Sequence, residues 1–287
     1  MSRIYDALQQ CIPTNEGAGL AEEQGTDALF RKQFEDSAWD LDSTPQVQLN
    51  LSREDKLPAL LCVNSFAFEQ FRLLGTRMQH LREFRPLKTI LLTSSVAEEG
   101  KTLLSVNLAM SLAHGGRQKV LLLEADLRKP SLCRTLGLSD FEGLKEWFRS
   151  DRPMNTFLRR ISGLQVWVLA AGLEPVDPLE LINSARTASL LADAAAAFDW
   201  VLIDSSPLLP TADSGLVSRV TDGTVLVVRR DRTSKSALKQ GLERVESSKL
   251  LGLLLNDFPT TEDYGYERYG VVPAASTPIV NLASPAA

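Results

Sequence analysis

Residues 88–109 read Lys-Thr-Ile-Leu-Leu-Thr-Ser-Ser-Val-Ala-Glu-Glu-Gly-Lys-Thr-Leu-Leu-Ser-Val-Asn-Leu-Ala, and they constrain the fold more than any other stretch. The pattern is strand, loop, helix. Thr89 to Thr93 is a β-branched and apolar run of the kind that forms a buried parallel strand. Lys101 to His114 predicts a helix with an apolar stripe at Leu104, Leu108 and Leu112, stopped by Gly115-Gly116. Between them lies Gly100-Lys101-Thr102, the end of a phosphate-binding loop. Backbone N–H groups there, with the positive end of the helix behind them, favour a polyphosphate. Lys101 would reach the β- and γ-phosphates, and the Thr102 hydroxyl would sit on Mg²⁺. The standard pattern also wants Gly six residues before the Lys, where this chain has Ser95. The strand before and the helix after therefore carry the assignment.

The chain of 287 residues suits one large domain with extensions. A net charge of -5 argues against nucleic acid as a partner. Cys11, Cys62 and Cys133 have no paired spacing, so neither a zinc site nor a disulfide framework is expected. No apolar run reaches membrane-spanning length, and the expected location is cytoplasmic.

In chain order, Met1 to Gln10 has the pattern of a short helix. Residues 13–57 are acidic and turn-rich and read as a tail or linker. Asn64 to Phe84 predicts a helix with Phe68, Phe71, Leu74 and Met78 on one side and Glu69 and Arg72 among its charges, ended by Pro86. Lys119 to Leu123 predicts a second strand. It runs into Glu124-Ala-Asp126, two carboxylates one residue apart that share a side of an extended backbone. At the carboxyl end of a parallel strand that side faces the ligand crevice, a place for Mg²⁺ or a general base. Gly143 to Ser150 predicts a short helix, Gln165 to Leu169 a strand, and Pro178 to Phe198 one long helix. Trp200-Val-Leu-Ile-Asp204 then supplies an acid at a strand end, the second half of a phosphate-loop ATPase site. Gly223 to Val228 predicts a strand, Thr233 to Ser248 a helix and Leu250 to Asn256 the last strand. Five or six strands alternating with helices predict a doubly wound, mostly parallel α/β sheet with helices on both faces.

These motifs, in this order, resemble those of the bacterial tyrosine kinases, the CpsD/CapB-like cytoplasmic autokinases of capsule and exopolysaccharide synthesis. The family's first motif, apolar-x-Thr-Ser-x-x-Pro-Gly-Glu-Gly-Lys-Ser/Thr, is matched by Thr93-Ser94, Glu99, Gly100, Lys101 and Thr102, with Ala97 and Glu98 standing for Pro-Gly. In the second, apolar-Asp-x-Asp-x-Arg, Asp126 and Arg128 match and Glu124 stands for the first Asp. The third is matched by Ile203-Asp204-Ser-Ser-Pro207. The resemblance covers roughly residues 60–270.

It implies a P-loop NTPase fold and a protein-tyrosine autokinase that uses ATP and Mg²⁺. Ala97, Glu98, Glu99, Gly100, Lys101, Thr102, Leu103 and Asn256 would bind nucleotide, with Asn256 near the adenine. Thr102, Asp126 and Asp204 would hold the metal, and Lys101, Glu124, Asp126 and Asp204 would carry catalysis, Glu124 as base. Tyr264, Tyr266 and Tyr269, crowded after the last strand, would be the phosphate acceptors. Glu69 and Arg72 match a family helix that makes oligomer contacts, although Gly75 replaces its last Arg. The implied partners are a membrane-bound polysaccharide co-polymerase or activator, which would hold the chain at the inner face of the membrane, and further copies of the chain. The corresponding division is 1–60 as N-terminal helix and linker, 61–262 as ATPase/kinase domain and 263–287 as tail. Two departures bear on activity: Glu98 brings charge into the phosphate loop, and Glu124 is one methylene longer than Asp. They keep open a catalytically weakened nucleotide-binding scaffold. A partition or septum-placement ATPase switch (ParA/MinD-like) is the other alternative. That class carries a second lysine where this chain has Val96.

Overall fold

The computed structural model describes residues 39–51, 57 and 65–257. The N-terminal helix and the three tail tyrosines expected from the sequence lie outside them. Eight strands form one sheet: β1 (Gln46–Val47), β2 (Thr89–Ser94), β3 (Val120–Glu124), β4 (Arg159–Ile161), β5 (Val166–Leu169), β6 (Trp200–Asp204), β7 (Gly223–Arg229) and β8 (Leu250–Asn256). Their order is β1-β4-β5-β3-β6-β2-β7-β8, and every pairing is parallel except β4 with β5.

The helices are α1 (Phe66–Arg82), α2 (Lys101–Ala113), α3 (Leu132–Thr135), α4 (Leu144–Phe148), α5 (Pro178–Ile182), α6 (Ala185–Ala197), α7 (Asp213–Val220) and α8 (Lys235–Glu243). Alternate residues of the central strands feed two cores, because successive side chains point to opposite faces. Leu91, Leu121, Leu123, Val201 and Ile203 pack with α4, α5, α6 and α7. Ile90, Leu92, Val120, Leu122 and Leu202 pack with α1, α2 and α3. All residues of β2, β3 and β6 are buried, as the unbroken apolar runs predicted.

Three sequence expectations are corrected. The helix expected over residues 178–198 is two helices, broken where Asn183 ends α5 and the Ser184 side chain caps α6 by accepting the Thr187 N–H. Residues 46–47, read as linker, pair with β4, and Trp39 packs edge-on against Phe198. The strand count is eight because the two- and three-residue β1 and β4 are too short to show a period.

β3, β6 and β2 lie side by side with their carboxyl ends together. From β2 the chain crosses through α2 to β3 on one side, and β7 lies on the other. This change of direction creates the crevice in which ligands of doubly wound sheets bind.

Candidate functional site

The loop after β2 enters α2 through Gly100, whose φ of 95° is a backbone state that favours glycine. A Cβ at Gly100 would lie 2.2 Å from Asn256 Nδ2. Glu98 also has positive φ, 64°, without being glycine. Its side chain points outward, where a carboxylate oxygen accepts from Arg232 Nη2, and its carbonyl accepts from Arg229 Nη1 at 3.2 Å. Glu99 is fully buried. Its carboxylate accepts the Val96 N–H at 2.9 Å and the Thr233 hydroxyl, so it ties the loop to itself and to the segment after β7. Ala97 is exposed, and Leu103 packs on the α1/α2 core. Asn256, expected near an adenine, donates from Nδ2 to the Glu99 carbonyl at 2.9 Å and so braces the loop.

Lys101 is buried on the first turn of α2. Beside it the Thr102 hydroxyl donates to Asp204 Oδ2 at 2.6 Å, and Ser105 Oγ lies 3.4 Å from Asp204 Oδ1. Asp204 has no exposed surface. Burial pushes its carboxyl up to about 7, against the opposing effects of the Thr102 hydrogen bond and the Lys101 ammonium, and Glu124 and Asp126 push the same way as burial. Glu124 is the register partner of Asp204 on the adjacent strand. The acids predicted at two strand ends therefore converge on the helix that starts with Lys101-Thr102.

The two acids at the end of β3 have different environments. Glu124 is buried, with Oε1 accepting the N–H groups of Ser131 at 2.5 Å and Leu132 at 2.8 Å, and Oε2 accepting that of Ala171 at 3.1 Å. It joins the start of α3 to the exit of β5. Burial raises its carboxyl above the ordinary range, and the three amides pull it back. Asp126 is half-buried, with Oδ1 accepting the Lys129 N–H at 3.0 Å. Burial raises its carboxyl as well, and the nearby Lys101 ammonium opposes the rise.

Sequence reading missed two groups here. Ser131 Oγ lies 3.1 Å from the Thr102 hydroxyl. Asp213, at the start of α7, is buried and takes a two-pronged bond from Arg128, at 2.7 and 3.2 Å. Neither sits at a recognisable motif position; only the tertiary fold brings them in. Glu69 and Arg72 pair with each other at 2.8 Å on the outer side of α1, and Gly75 is buried against Leu112 of α2.

Hydroxyl and carboxylate oxygens are hard donors that suit Mg²⁺. Among the described residues no three His, Cys, Asp or Glu side chains cluster as a metal cage. Thr102, Asp204 and the nearby Asp126 fit a magnesium ion that takes its other ligands from phosphate and water, the usual preference of this ion.

No family model matches the chain. It is 33% identical over 204 residues to the tyrosine-protein kinase YwqD of Bacillus subtilis, a match spanning 70% of this chain and 86% of that protein. It is 29% identical over 213 residues to the succinoglycan biosynthesis transport protein ExoP of Rhizobium meliloti, 69% of this chain and 27% of that protein. The crystal structure of the chimerical protein CapA2B2 superposes with a TM-score of 0.67 at 26% identity, covering 79% of this chain and 99% of that one.

Proposed function

The chain belongs to the bacterial tyrosine-protein kinases, and from that premise we propose that it is an ATP-dependent protein-tyrosine autokinase that regulates exopolysaccharide or capsule synthesis and export. The observation that carries the proposal is the convergence of Lys101, Thr102, Asp126 and Asp204 at the carboxyl ends of β2, β3 and β6, with Thr102 2.6 Å from Asp204. The loop amides and Lys101 bind the β- and γ-phosphates of ATP. Thr102 and Asp204, with Asp126 beside them, hold Mg²⁺, which neutralises charge on the phosphates when bound.

The proton acceptor for the tyrosine phenol is Asp126. Sequence resemblance favoured Glu124, but both Glu124 oxygens are engaged by backbone N–H groups. A base must reach the proton it abstracts, and Asp126 is only half-buried and close enough to Lys101 for the ammonium to act on its carboxyl. Tyr264, Tyr266 and Tyr269 are the acceptors, delivered to the site of a neighbouring copy, and α1 with Glu69 and Arg72 contributes to contacts between copies. No helix among the described residues is long and apolar enough to cross a membrane. In this reading, membrane association comes through a polysaccharide co-polymerase or activator protein.

Incubation of the full chain with Mg-ATP, with and without candidate membrane partners, tests this through phosphotyrosine mapping by mass spectrometry. Replacing all three tail tyrosines with Phe should keep ATP binding and abolish most autophosphorylation. Phosphotyrosine at the wild-type level in that variant would exclude the tail as acceptor. The engaged oxygens of Glu124 favour one second reading, a nucleotide-binding scaffold with weakened catalysis. Tight Mg-ATP binding with no phosphotyrosine under any partner condition would select it.

A further inference from the structure

We propose that Arg232 is a positioning residue for nucleotide binding: it neutralises Glu98 and keeps that carboxylate turned away from the phosphate loop. The inference rests on the nucleotide reading of the site. Ser95, Ala97 and Glu98 leave the loop with Gly100 alone as a glycine. The greatest cost of that composition falls at Glu98. A carboxylate repels an incoming polyphosphate, and a Cβ at a φ of 64° disfavours the backbone state that the loop needs.

The structure answers both costs from the segment after β7. Arg232 Nη2 donates to the Glu98 carboxylate and turns its charge outward. Arg229 Nη1 donates to the Glu98 carbonyl at 3.2 Å, while its Nε and Nη2 hold Asp257 Oδ2 at 3.1 and 2.9 Å. Asn256 takes the next carbonyl, that of Glu99, at 2.9 Å. Across a planar trans peptide the carbonyl and the following N–H point in opposite directions. Fixing the carbonyls of residues 98 and 99 toward the ends of β7 and β8 therefore directs the N–H groups of Glu99 and Gly100 away from those strands. Arg229 and Asn256 set the backbone, and Arg232 cancels the charge that the Glu98 side chain adds.

The Glu98 side chain is 72% exposed and that of Arg232 47%. Exposed pairs contribute little to folding, so removal of Arg232 should leave the chain folded. The effect belongs in ligand affinity, where an uncancelled carboxylate acts on a multiply charged ligand.

The test is a double-mutant cycle on the full chain, titrated with Mg-ATP at fixed ionic strength. R232A should weaken affinity about three- to tenfold, with unchanged melting temperature and with the kinetic loss in KM rather than kcat. R232K should recover most of the loss, and raised salt should shrink it. E98G should bind more tightly than wild type, and in that background R232A should change affinity by less than about twofold. An equal loss in both backgrounds would overturn the proposal, because Arg232 would then act on the ligand directly. No loss in the Glu98 background would overturn it as well. A wild-type chain that binds no Mg-ATP would instead overturn the nucleotide reading, and this inference with it.

Discussion

Two strand ends of this sheet lead past a glutamate where the kinase pattern has another residue, and the fold treats the two in opposite ways. After β2, Glu98 is turned to the surface and paired with an arginine from a distant segment. At the end of β3, Glu124 is drawn inside and saturated by three backbone N–H groups from two other segments. The first arrangement leaves the phosphate loop's chemistry in place and adds an external counter-charge. The second gives a position expected to do chemistry the further task of holding two chain segments together. A substitution in a motif thus has to be weighed by what the new side chain touches. Residue type alone would have grouped these two glutamates.

The sharpest way to break the contrast is to remove the buried acid. Glu124→Ala leaves three amides without their acceptor, and at about 1–3 kcal/mol for each unsatisfied group the loss should be at least about 3 kcal/mol. Urea unfolding with an unchanged slope would measure it. A stability equal to wild type would show that Glu124 is not the anchor described. Glu124→Gln retains one acceptor oxygen and should lie between.

Lys101→Ala comes next. It removes the cation at the phosphates, and autophosphorylation should fall on the order of a hundredfold, about 2.7 kcal/mol of barrier. Undiminished activity with undiminished ATP affinity would remove the phosphate loop from the site. Asp126→Asn separates the two acids of β3 by function. It should lower kcat by about ten- to a hundredfold with only a small change in stability, the converse of the change at Glu124.

A further test is the pH dependence of Asp204. An ordinary aspartate ionises near 3.8, and in the folded chain burial moves Asp204 to about 7. Between those values the folded state binds the extra proton, so this group's contribution is complete below about pH 4 and is lost as pH rises through 7. The melting temperature should decline across that window, and Asp204→Asn should flatten the decline. An identical slope in that variant would assign the dependence to other groups.

Much of the architecture was legible in the sequence because the central strands are buried on both faces. The apolar cores of the runs at 89–93, 119–123 and 200–204 have no polar interruption, and the acid that ends the last of them, Asp204, is the one that meets Thr102. The break at Asn183-Ser184 was hidden because Ala- and Leu-rich sequence favours helix on both sides of it, and only the Ser184 cap marks a new start. The environment of Glu124 was not legible at all. Ser131 and Leu132 stand several residues further along the chain and Ala171 follows another strand, so nothing near position 124 announces three donors. The same holds for Arg232, whose role exists only once β7 has been laid beside β2.

Asp257 has a consequence of its own. Its carboxylate is fastened by Arg229, the same arginine that holds the Glu98 carbonyl, so residue 257 is held at a fixed point beside the phosphate loop. From that point to Tyr264 is seven residues, a contour of at most about 25 Å. Under the proposed autokinase reading, that length bounds how far Tyr264 can lie from the phosphate loop of its own chain, and a neighbouring copy would have to come within the same reach to exchange phosphate with it. Self-labelling within one chain would proceed at a rate independent of protein concentration. Exchange between copies would slow on dilution, and a tail lengthened by a flexible insert after residue 257 would tolerate greater dilution before it did so.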